Sequence, residues 1–146
     1  MLDAEAEKGR RRRRFIRARA AAPRRVEDWF VALVEEALDQ LPAPFAAKVD
    51  NVAVVVETAP DRITRAQMGL GDGRLLLGLY QGVPLPERSV EAPPLMPDRI
   101  IIYQDPILAL SRDPDQIKRQ VRQTVIHELG HYFGLSDAEM AELERS

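Results

Sequence analysis

The sequence predicts an α+β domain with a small mixed β-sheet of three or four strands. Three observations lead there. An amphipathic helical pattern occupies residues 24–41, and a long helix with a readable start and stop begins after Asp113. Between them lie three short runs of β-branched and aliphatic residues, too short and too separated to be helices. At 146 residues the chain is about one domain. Its core must be mostly Leu, Val, Ile and Ala, because aromatic residues make up only 5%.

Residues 1–22 are predicted to form a disordered arm. Arg10 to Arg14 is an unbroken basic run, which repels itself and has no apolar face to bury. Residues 1–25 carry ten basic and three acidic side chains, whereas residues 26–146 carry eleven and twenty. The body is therefore acidic, which argues against a nucleic-acid-binding fold. Any polyanion binding is confined to residues 10–25, and a solvated extension is the more ordinary reading of such a run. The domain is expected over 23–146.

In the first helix, Val26, Trp29, Phe30, Leu33, Val34, Ala37, Leu38 and Leu41 recur at helical spacing, and Pro42 and Pro44 are read as its stop. Residues 52–56, all Val or Ala, form a buried-strand composition. A second strand is predicted over 75–80 and a third over 99–103, centred on Ile100, Ile101 and Ile102. Six of the eleven Pro and five of the eight Gly fall between Pro60 and Pro97, so this tract reads as loop with one strand embedded. Its Gly69-Leu70-Gly71-Asp72-Gly73 stretch lacks the following helix and the Lys–Ser/Thr pair of a phosphate loop, and reads as turns. Asp105-Pro106-Ile107 begins a short helical turn. Asp113-Pro114 then opens the long helix, with Asp as N-cap and Pro at the first helical position. Gly134 stands where a helix ends in positive φ. Ser136 or Asp137 caps a last short helix.

The absence of Cys excludes disulfides, iron–sulfur clusters, a thiolate nucleophile and thiolate zinc sites. No apolar run approaches the ~20 residues of a membrane span. Lys8 to Arg19 is charged where a signal peptide would be apolar, so the expected compartment is the cytoplasm.

The chain has two His, and both fall in one segment: His127-Glu128-Leu129-Gly130-His131-Tyr132-Phe133-Gly134-Leu135-Ser136-Asp137. At ~100° per residue, His127 and His131 project from one helix face, ~6 Å apart along the axis. Two imidazoles so placed suit one Zn²⁺. Gly134 permits the chain to reverse, which returns Asp137 toward the pair; Glu139 and Glu142 are also within reach as a third ligand. Two nitrogens and a carboxylate leave one position for water, the layout of a catalytic zinc site. Glu128, rotated ~100° from His127, is positioned to accept a proton from that water. The plainer alternative treats the two His as half-buried helix residues, Gly134 as a helix end and Asp137 as a cap. Each occurs singly; all of them in register does not arise readily by chance.

This segment resembles the zincin metallopeptidases, in the branch where Asp replaces a third His. The runs Leu77-Gly78-Leu79-Tyr80-Gln81-Gly82-Val83-Pro84 and Ile100-Ile101-Ile102-Tyr103-Gln104-Asp105-Pro106-Ile107 are similar to those of a small bacterial family of minimal zincin-fold proteins, across about residues 26–146. The resemblance implies a minimal zincin-like fold with an active-site helix and a short C-terminal helix. It implies His127, His131 and Asp137 as metal ligands, one Zn²⁺ per chain, Glu128 as catalytic base and a peptide substrate. The sequence departs from larger relatives in its shortness and in lacking a methionine turn, since Met140 follows too closely inside a predicted helix. A binding module with the same fold and little turnover is the alternative. Strand addition of substrate is expected on residues 75–80. Tyr80, Tyr103 and Tyr132 are candidates to assist an oxyanion, with packing the more ordinary role of each.

Overall fold

In the computed structural model the described residues are 16–19, 25–71, 73–82 and 98–145; of residues 16–19 and 143–145 only the backbone is described. They form β1 (Ile16–Arg19), α1 (Asp28–Asp39), α2 (Ala43–Val49), β2 (Ala53–Glu57), α3 (Arg62–Gln67), β3 (Gly78–Gln81), β4 (Arg99–Tyr103), α4 (Gln104–Ala109), α5 (Pro114–Tyr132) and α6 (Asp137–Arg145). The class is α+β with one mixed sheet of order β1-β2-β4-β3. β1, β2 and β4 are parallel, and β3 runs antiparallel to β4.

Alternation along the strands makes two faces. Val54, Val56, Ile100 and Ile102 join Phe30, Val34, Leu38, Val121, Val125 and Leu129 in the main core, between the sheet and helices α1 and α5. Val55, Ile101 and Tyr103 point the other way and are covered in part by Leu76 and Leu79. All six Val and Ile among these strand residues are fully or almost fully buried, as near-continuous Val/Ile runs in parallel strands must be. Across the first helix, Gln104 is a buried clamp. Its Oε1 accepts the Glu27 N–H at 2.7 Å and its Nε2 donates to the Arg25 carbonyl at 3.2 Å.

Several sequence expectations need correction. The disordered arm predicted over 1–22 does not extend through residues 16–19, which pair in register with 54–57 as β1; the rest of the arm, with its Arg10 to Arg14 run, lies outside the described residues. The first helix is shorter than residues 24–41. Pro42 and Pro44 do not merely stop it: they open a second helix, α2, with Pro42 as N-cap. That follows from proline's fixed φ and missing N–H, which suit a helix's first turn. The tract after Pro60 also contains α3, capped by the Asp61 carboxylate accepting the Thr64 N–H at 2.7 Å. β3 begins at Gly78, three residues later than expected. The turn reading of the glycine stretch stands, with φ of 66° at Gly69 and 87° at Gly73. Among the described residues, no helix is long and apolar enough to cross a membrane.

Candidate metal centre

The site is built on the C-terminal half of α5. Its start is as read: Asp113 accepts the Gln116 N–H at 2.9 Å and Pro114 occupies the first turn. Its end is a Schellman turn. Leu135 N–H donates to the Gly130 carbonyl at 2.9 Å, Gly134 N–H donates to the His131 carbonyl at 3.0 Å, and Gly134 takes φ 72°. A residue with a Cβ would be strained there, and without the turn the chain would run on past the two histidines.

α6 begins directly after this turn with a capping box. Glu139 N–H donates to Ser136 Oγ at 3.2 Å, while Glu139 Oε1 accepts from Ser136 Oγ at 3.0 Å and from Ser136 N–H at 3.4 Å. The cap is thus Ser136, and Asp137 is left at the first helical position with its carboxylate unused by the cap. One ligand atom each from His127, His131 and Asp137 lies within 4.8 Å of the other two. The imidazole rings stand 4.5 Å apart between centroids at 69°. Donor atoms of a tetrahedral zinc site at ~2.1 Å from the ion sit roughly 3.4 Å from one another. A mutual spacing within 4.8 Å is compatible with that geometry, and a donor set of two imidazoles and one carboxylate suits that ion. Glu139, left open as a third ligand by the sequence, is committed to the cap. Glu142 does not join the group.

Glu128 turns toward the sheet, not toward solvent. It is 7% exposed, and its Oε2 accepts the Tyr80 backbone N–H at 2.7 Å. The same oxygen lies 3.5 Å from His131 Nδ1. Strand parity explains why Tyr80 offers that N–H. Tyr103 N–H donates to the Leu77 carbonyl, which makes 77/103 a hydrogen-bonded pair in the β3–β4 register. Residues 79 and 81 then bond to β4, and the backbone groups of Gly78 and Tyr80 point away from it. β3 ends the sheet among the described residues. The outward groups of this edge thus face the helix that carries the two histidines.

Gly78 sets the distance between strand and helix. A Cβ there would overlap Thr124 Cγ2 and come within 2.9 Å of the Ile101 carbonyl oxygen. Thr124 lies one helical turn before Glu128, so the missing side chain brings the carboxylate within reach of the strand. Between them opens a cleft of about 320 Å³, lined by Leu76, Leu77, Gly78, Gln120, Gln123, Thr124, His127 and Glu128. The sequence reading missed Gly78, Gln120 and Gln123; the glycine inside a strand pattern was the available signal of a close approach.

The three tyrosines are accounted for by packing and hydrogen bonding. Tyr80 donates its hydroxyl to the buried Asp98 carboxylate at 2.8 Å, and its ring stands edge-on to Tyr132 at 5.6 Å. Tyr132 also packs edge-on against Phe133. Tyr103 is on the far face of the sheet, where burial first, and then the Glu57 and Asp61 carboxylates, push its phenol well above the ordinary tyrosine range.

No curated protein matches this chain. The family model described as zincin-like metallopeptidase matches residues 49–146, a span that begins at the end of α2 and includes the whole sheet-edge, cleft and ligand triangle, and the chain belongs to that family.

Proposed function

We propose that this protein is a zinc-dependent peptidase with Glu128 as general base. The observation that carries the reading is the convergence of two imidazoles and a carboxylate beside a buried glutamate tied to the sheet edge. His127, His131 and Asp137 would hold one Zn²⁺, which when bound supplies a Lewis acid that polarises a carbonyl and lowers the pKa of water. The remaining work falls to the chain. Glu128 takes the proton of the attacking water and returns it to the leaving amine. Its bond to Tyr80 N–H anchors one carboxylate oxygen and restricts the group's rotation. A peptide lies in extended form along β3, pairing with the outward N–H and C=O of Gly78. One of its side chains enters the cleft, whose walls are Leu76, Leu77 and the Gln120 and Gln123 amides.

The test is cleavage of a diverse peptide pool by zinc-loaded protein, compared with Glu128→Gln. Cleavage that is abolished by a chelator, restored by zinc and reduced at least ~100-fold by the substitution supports the proposal. Unchanged cleavage in the variant rejects Glu128 as base. Absence of any specific cleavage by loaded wild type favours the alternative, a zincin-fold binding module.

A further inference from the structure

The ligand triangle draws its third corner from a different helix, and something must fix α6 against α5 for the corner to stay in place. Asp137 sits at the first position of α6, beyond the Schellman turn that ends α5. The contact that restrains it is a notch. Gly130 is buried on α5 between Leu129 and His131, and a Cβ built on it would overlap Met140 Sδ and come within 2.6 Å of Met140 Cγ. Met140 is 2% exposed, the most deeply buried residue of α6 among those whose side chains are described. It follows Asp137 by three residues, so the two side chains leave α6 on neighbouring faces. On α5, His127 and His131 are displaced from Gly130 by roughly 60° and 100° in the same sense. The thioether therefore lodges on α5 immediately beside the face that carries both imidazoles.

We propose that Met140, seated in the Gly130 notch, is a positioning residue for the metal centre: it holds Asp137 at the distance from His127 and His131 that one divalent ion requires. The inference rests on the zinc reading above. Methionine suits the role because it is unbranched and deformable, and it fills a gap against backbone that a β-branched side chain would not enter. No other side chain need intervene, since the glycine lets the sulfur approach the helix axis itself. A purely structural role would lower stability without selecting for metal affinity; the positioning role acts through Asp137 and through nothing else.

The experiment measures the zinc dissociation constant of the full chain by competition with a chromophoric chelator. The proteins compared are wild type, Met140→Ala, Asp137→Ala and the double variant, with Val34→Ala on α1 as a buried core control. Residues that orient metal ligands commonly alter affinity by roughly 10–100-fold. Met140→Ala is expected to weaken zinc in that range, Met140→Leu to retain most of the affinity, and Val34→Ala to leave it unchanged. In the Asp137→Ala background, Met140→Ala is expected to cost nothing further. Equal weakening in both backgrounds, or unchanged affinity in Met140→Ala, overturns the inference while leaving the zinc reading intact. Failure of wild type itself to bind zinc overturns both. Should Met140→Ala not fold, methyl-labelled methionine in the wild type supplies the second readout. Zinc is expected to shift the Met140 methyl resonance in wild type but not in Asp137→Ala, and a shift of equal size in both rejects the coupling.

Discussion

The Glu128 carboxylate accepts the backbone N–H of Tyr80 at 2.7 Å, joining the helix that bears both histidines to the strand at the edge of the sheet. A side chain from the long helix thus satisfies a backbone donor that β4 cannot reach. Its removal has a structural cost separate from any catalytic one. Glu128→Ala removes this half-buried bond, and a typical intramolecular hydrogen bond contributes about 0.5–1.5 kcal/mol. Glu128→Gln keeps an acceptor oxygen and is expected to retain most of that stability. Urea unfolding of the metal-free proteins checks this, with Ala clearly below Gln and Gln close to wild type.

Gly78→Ala forces β3 and α5 apart, because its Cβ meets Thr124 Cγ2 and the Ile101 carbonyl. Overpacking of this kind typically costs about 1–3 kcal/mol. Activity against peptides is expected to fall more than stability alone explains, since the Glu128–Tyr80 bond spans the same gap. Adding Thr124→Ser removes the clashing methyl group and is expected to recover part of both losses. Thermal melts and peptide turnover on the two variants give the comparison.

Gln104→Ala releases the Arg25 carbonyl and the Glu27 N–H together. The clamp anchors the entry to α1 and touches none of the three candidate ligands. The expected effect is a loss of about 1–3 kcal/mol in stability with zinc affinity unchanged. Parallel unfolding and zinc-competition measurements separate the two quantities.

Tyr103 provides a pH prediction. Its phenol is held neutral in the fold by burial and by the nearby carboxylates, so its folded pKa lies above the unfolded value of ~10. The unfolded chain then gives up this proton first as pH rises. The associated stability is present below pH ~10 and is lost progressively above it. Tyr103→Phe is therefore expected to move alkaline unfolding to higher pH, read by circular dichroism across an alkaline titration.

Much of the site was legible in the sequence because it is local. His127, Glu128, His131, Gly134 and Asp137 fall within eleven residues, and helix geometry plus one glycine turn fixes their relation. The sequence favoured Asp137 but left Glu139 and Glu142 open, because which of Ser136 and Asp137 becomes the cap is not encoded by spacing alone. Once Ser136 closes its box with Glu139, Asp137 is the carboxylate left over. The helices α1, α5 and α6 and the strands β2 and β4 carried strong periodic or apolar signals. β1 did not: Ile16–Arg19 alternates with arginine beside a basic run, and its strand state comes from pairing with β2. α2 was concealed by prolines that mark a helix start as readily as a stop. The contribution of Gly78 depends on Thr124, forty-six positions away, and no local pattern encodes that contact.

His127, His131 and Asp137 are proposed to hold one divalent ion. Elemental analysis of zinc in wild type, His131→Ala and Asp137→Ala, after loading and exhaustive dialysis, tests this most directly. One zinc per chain is expected in wild type, none in His131→Ala and a sharply reduced content in Asp137→Ala. Equal zinc in all three proteins would contradict the proposal.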